Sequence, residues 1–124
     1  MKNVFFLCLS TTALMISGCS TKKPMYEYAN YSETYYQLKQ NGDAQSTANW
    51  KNSLEEVIEK SNARAIRIPP GIYANLGYLY LKVNDTQKAI FYFKAEKDLY
   101  PEASVFMDNL IKKAELMQEG RKGS

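Results

Sequence analysis

Few residues in this chain of 124 could serve as nucleophile, base or metal ligand, and there is no histidine. Without imidazole neither a Ser-His-Asp nor a Cys-His arrangement can be assembled, and the usual ligand of zinc and most transition metals is missing. No Asp-x-Asp-x-Asp-Gly loop is present to hold a hard cation. Paired carboxylates can cleave glycosides, and Glu55, Glu56 and Glu59 form the one acidic cluster available for it. Glutamates at that spacing read as the solvated side of a helix. The expectation is a protein with no enzymatic activity, no cofactor and no metal. What remains is the thiol chemistry of two cysteines, Cys8 and Cys19.

The setting of Cys19 gives that chemistry a direction. Lys2 supplies a positive start, Val4 to Ile16 an apolar middle, and Ser17-Gly18 the small residues of a cleavage site, the three parts of an export signal. That middle of 13 residues is too short to cross a bilayer, which takes about 20 in a helix. Ile16-Ser17-Gly18-Cys19 resembles a bacterial lipobox, which implies acylation of Cys19 as the first residue of the mature chain. Ser20 in place of an aspartate resembles the sorting signal for the outer membrane. Removing residues 1–18 from the 124 leaves 106, enough for one small domain. Cys8 departs with the signal, so no disulfide can form. With Lys2 gone, the 16 basic residues fall to 15 against 13 acidic ones, a spread-out surplus that gives no nucleic-acid footprint. Residues 19–27 read as the lipidated terminus and a polar linker, which holds the folded part close to the membrane.

Helical periodicity runs through the rest, and no sustained alternation suggests a strand. A first helix is predicted from about Tyr28 to Gln40, with Tyr28, Tyr31, Tyr35 and Leu38 on one face. Asn41-Gly42 stops it, glycine being free to take the left-handed conformation. Ser46 or Thr47 could cap a second helix striped by Trp50, Leu54, Val57 and Ile58. Pro69-Pro70-Gly71 breaks the chain. A third helix spans about Ile72 to Lys82, with Tyr73, Leu76, Gly77 and Tyr80 together. Asp85 caps a fourth, which buries Ala89, Ile90 and Phe93 and ends at Tyr100-Pro101. A fifth, from about Ser104 to 118, has Phe106, Met107, Leu110, Ile111 and Ala114 on its apolar side. The tail, 119–124, should be disordered.

Between Pro70 and Ala103 the pattern resembles a tetratricopeptide repeat, a helix–turn–helix unit of about 34 residues. Tyr73, Leu76, Gly77, Tyr80, Ala89, Phe93 and Pro101 occupy signature places; Glu96 stands where a small residue is usual, which questions how tightly the fifth helix packs. The fold class implied is all-α, with tetratricopeptide-like antiparallel hairpins and about five helices over residues 28–118. Repeats of this kind present a concave face. Asn75, Tyr78 and Lys82, opposite the apolar face of the third helix, are the candidate partner contacts.

Across its mature length the chain also resembles a family of small bacterial lipoproteins of unknown function. Tyr26-x-Tyr28-x-x-Tyr31, Trp50-Lys-x-Ser-Leu-Glu, Pro69-Pro-Gly-Ile-Tyr-Ala, Leu76-Gly-Tyr-Leu-Tyr-Leu and Tyr100-Pro-Glu-Ala carry that likeness. Members are often encoded beside a lipoprotein like the curli secretion channel. The resemblance implies a periplasm-facing, outer-membrane-anchored adaptor for another envelope protein. Ten tyrosines and one tryptophan keep an alternative open: a glycan-binding or purely structural envelope lipoprotein.

Overall fold

The computed structural model of the protein describes residues 22–123; the segment predicted to be an export signal (1–18), the predicted acylation site Cys19 and Ser124 lie outside them. Among the described residues the fold is all-α. Five α-helices follow in order: α1 (Tyr31–Asn41), α2 (Ala44–Ala63), α3 (Ile72–Lys82), α4 (Thr86–Leu99) and α5 (Ser104–Lys122). A single 3-10 turn, Pro101–Ala103, joins the last two.

Local chemistry sets the ends. α1 begins at Tyr31 and not at Tyr28, because Ala29 has a positive φ of 44° and its N–H donates to the Glu27 carboxylate at 2.9 Å. Gly42 closes it as expected, with φ of 64° and its N–H given to Leu38 O. α2 starts earlier than expected. The cap is Asp43, whose carboxylate accepts the Ser46 N–H at 2.7 Å; Ser46 and Thr47 instead donate their hydroxyls back to Asp43 O. That capping N–H holds the Asp43 carboxyl below its usual pKa. Asp85 caps α4 through the Lys88 N–H at 3.2 Å.

The helices pack in sequence, each against the next. α1 and α2 form one hairpin and α3 and α4 a second, antiparallel because the start of α3 meets the end of α4 (Gly71 and Ala74 with Glu96). There are two cores. Trp50, Leu54, Val57, Ile68, Ile72, Leu76 and Leu79 form the first; Leu81, Ala89, Phe93, Met107, Ile111 and Ala114 form the second. α3 is the wall between them, which is why Leu79 and Leu81, outside its expected apolar stripe, are both buried.

Three further expectations are corrected. Phe106 is 62% exposed, although its neighbours Met107 and Ile111 are buried; the side of α5 that meets α4 is narrower than its apolar stripe. α5 runs on to Lys122 where a disordered tail was predicted, because Arg121 donates to Asn84 O and to the Thr86 hydroxyl, each at 2.9 Å. The linker before α1 is not a free spacer either. Lys23 donates to Arg64 O at 3.2 Å, and Glu27 forms an ion pair with Arg64.

Candidate functional site

The second hairpin closes around Gly77. A methyl there would lie 2.6 Å from the Phe93 ring, closer than real side chains approach, and 3.2 Å from Ala89 O, a tight contact. Phe93 and Ala89 are wholly buried, as is Leu76. Tyr73 and Tyr80 are half-buried and stack on either side of Tyr92, at 6.0 and 5.5 Å between ring centroids. Burial raises the pKa values of Tyr73 and Tyr92. Pro101 opens the 3-10 turn after α4. All seven residues of the repeat-like signature thus line or terminate one hairpin.

Glu96 occupies the place where a small residue is usual, and its part is specific. It is 3% exposed, and its carboxylate accepts the N–H of Gly71 at 2.6 Å and of Ala74 at 3.2 Å. Gly71 cannot cap α3 with a side chain; the carboxylate from α4 supplies the missing acceptor and meets the positive end of the α3 dipole. It does not hold α5 away, since Met107, Ile111 and Ala114 share a core with Phe93. The sequence signal was a Gly-Ile helix start with no Ser, Thr, Asp or Asn at the cap.

Of the three candidate contact residues, two stand together. Tyr78 is 48% exposed, and the Lys82 ammonium lies 5.8 Å from its ring centre, a cation–π distance. Asn75 is half-buried and faces the Tyr31 side chain of α1, whose pKa is raised chiefly by burial. Asn75 is the less accessible of the three, which leaves Tyr78 and Lys82 as the exposed pair.

Lys82 also borders a groove of about 420 Å³, formed by Ala44, Thr47, Ala48 and Lys51 of α2 with Leu79, Tyr80 and Val83. Lys51 contacts Glu55 at 2.7 Å, which raises its pKa, and sits 5.5 Å from the Tyr80 ring centre. The groove thus has an apolar floor and a positive rim, a surface suited to an apolar side chain followed by a carboxylate. Glu55 and Glu56 each pair with a lysine one turn away. No cluster of three or more potential metal ligands occurs among the described residues. No described helix is long and apolar enough to cross a membrane.

A family model described as a domain of unknown function, DUF4810, matches residues 25–110. That range holds all five sequence stretches on which the family resemblance rests. No curated protein and no solved structure matches the chain.

Proposed function

The chain belongs to the DUF4810 family, a domain of unknown function, and from that premise we propose an outer-membrane lipoprotein, anchored through acylated Cys19 and facing the periplasm. It acts as a non-enzymatic adaptor for another envelope protein, in an assembly of the kind formed around a secretion-channel-like lipoprotein. The anchor reading draws its support from the order of signal, small residues and cysteine. Two or more acyl chains make a stable anchor where one does not.

The observation that carries the adaptor reading is the Tyr78–Lys82 pair on the rim of the α2–α3 groove. An exposed aromatic beside a cation and an apolar trough is the composition of an interface hot spot. The close crossing of Gly77 against Phe93 and Ala89 supports reading α3 and α4 as a tetratricopeptide-like unit, with α1–α2 a degenerate repeat before it and α5 a cap.

Photocrosslinking from position 78 in native membranes tests the adaptor. One defined envelope protein should be captured, and Tyr78→Ala with Lys82→Glu should lose it while thermal unfolding stays unchanged. Equal capture by the double variant would end the proposal. The glycan reading is kept by exposed Tyr28 and Tyr36; retention of the purified protein on isolated sacculi, lost when both become alanine, would favour it instead.

A further inference from the structure

The segment before α1 is fastened to one end of the helical stack at four points. Lys23 reaches Arg64 O at 3.2 Å, and Glu27 pairs with the Arg64 guanidinium. The Tyr26 side chain lies beside that of Tyr100, whose hydroxyl donates to Ile68 O at 2.6 Å. Tyr26, Tyr28 and Tyr31 continue as edge-to-face rings into α1 at 6.1 and 6.2 Å. Residues 23–31 are therefore a strap bound along the α2–α3 loop and against the end of α4. They do not form a swivel.

Lys22 is three steps along the chain from Cys19, with Ser20 and Thr21 between them, a reach of about 11 Å at most when fully extended. A chain that short cannot let the domain turn over. Whatever surface holds the Cys19 sulfur must lie next to the edge made by Lys22, Lys23, Pro24, Ala63, Arg64 and Ile66, which line one shallow cleft. The lining of that cleft carries three cations, Lys22, Lys23 and Arg64, and no acid. Lys22, Lys23 and Arg67 have no ion-pair partner among the described residues, and Arg64 and Lys60 are each paired with one glutamate. The opposing acids outside the cleft are Glu59 near the end of α2, Asp98 at the end of α4 and Glu102 in the 3-10 turn. Arg67 is held over the Tyr100 ring at 4.4 Å.

We propose that this edge is a lipid-facing surface. The strap stands the domain end-on, with Lys22, Lys23, Arg64 and Arg67 against anionic headgroups, and turns the Lys82 end of α3 away from the membrane. The α1–α2 and α3–α4 turns lie at that far end, since α3 alone is about 16 Å long at 1.5 Å per residue. The proposal rests on the acylation of Cys19 and adds an orientation that acylation alone would not fix.

Acylated full-length protein, reconstituted in vesicles of phosphatidylethanolamine with phosphatidylglycerol, gives the test. Acylation blocks the Cys19 sulfur, so Ala63→Cys and Gln87→Cys each offer one thiol for a fluorophore, read against headgroup nitroxide quenchers. Quenching at position 63 should exceed that at 87 several-fold. Glu27→Ala with Arg64→Ala should narrow the gap at unchanged thermal unfolding, because the strap is released. Equal quenching at both positions in a protein whose intact mass shows acylation would overturn the orientation alone. An unacylated mass would remove the anchor and the orientation together.

Discussion

The two hairpins of this molecule are held by different means. α3 and α4 meet at a glycine, with the Phe93 ring where a side chain on residue 77 would have to be. Both Phe93 and Ala89 are fully buried. α1 meets α2 through half-buried rings: Tyr31 and Tyr35 stack in parallel at 6.3 Å and both lie against Trp50, at 6.4 and 5.7 Å. Thr34 is the one buried residue of α1, and the Trp50 indole N–H is buried without a partner. The second hairpin is fixed by shape, the first by aromatic area. Shape is intolerant of change, while area can be repacked.

The largest expected effects therefore fall at the second crossing. Phe93→Ala should destabilise the protein by about 3–5 kcal/mol through lost burial and a cavity. Gly77→Ala alone should cost about 1–3 kcal/mol by overpacking, because its methyl enters the Phe93 ring. Placed on Phe93→Ala, the same methyl enters the vacated space and should cost nothing or restore some stability. Denaturant unfolding of the four proteins measures that coupling. Additive costs would mean that the crossing is not held by shape.

Glu96 comes next. Glu96→Ala leaves the part-buried Gly71 and Ala74 N–H groups at a helix start without this acceptor, a loss of roughly 2–4 kcal/mol, below the full value of two hydrogen bonds to a charged group because water can reach both donors in part. Glu96→Gln keeps an acceptor for one of them and should recover about half. Urea unfolding separates the two, and a Gln variant as unstable as Ala would show that the charge at the helix dipole matters more than the acceptor.

This contrast also explains what could be read from residues alone. The all-α class and the extent of α3 follow from periodicity, and the Gly77–Ala89–Phe93 spacing marks a close approach because only small residues permit one. Glu96 is less legible: its partner is 25 residues away, and no local pattern names the acceptor for a helix that starts at glycine. Phe106 sits at core spacing on α5, but no further helix among the described residues covers it. The strap is hidden for a similar reason. Lys23, Tyr26 and Glu27 have a linker's composition, and their partners Arg64 and Tyr100 lie about 40 and 70 residues further on. Asn75 falls on the predicted contact face by its turn of helix, yet it is half-buried, facing Tyr31 of α1.

Tyr100 bridges the strap to the second hairpin and offers a smaller, pH-dependent probe. Burial, with the adjacent Tyr26 second, pushes its pKa up to about 12 from 10.0. The folded state thus holds this proton more tightly than the unfolded chain. Its contribution is complete below pH 10 and is lost as pH rises from about 10 towards 12. Tyr100→Phe removes the bond to Ile68 O and should cost about 0.5–1.5 kcal/mol at pH 7. It should also flatten the alkaline decline, with the raised Tyr31, Tyr73 and Tyr92 leaving a residual slope in the same direction. Thermal unfolding between pH 7 and 11.5 reads both effects.

The smallest expected change tests the other side of the comparison. Tyr35→Leu removes one ring from the stack with Tyr31 and Trp50 but keeps an apolar side chain on the same half-buried face. Aromatic pairs contribute about 0.5–1.5 kcal/mol beyond their area, and leucine's better helix propensity offsets a few tenths of that. A net loss below about 1.5 kcal/mol is expected, with Trp50 fluorescence shifted because its neighbouring ring is gone. A loss as large as that of Phe93→Ala would mean that α1 is locked by shape after all. The two hairpins would then share one packing logic despite the glycine that only the second contains.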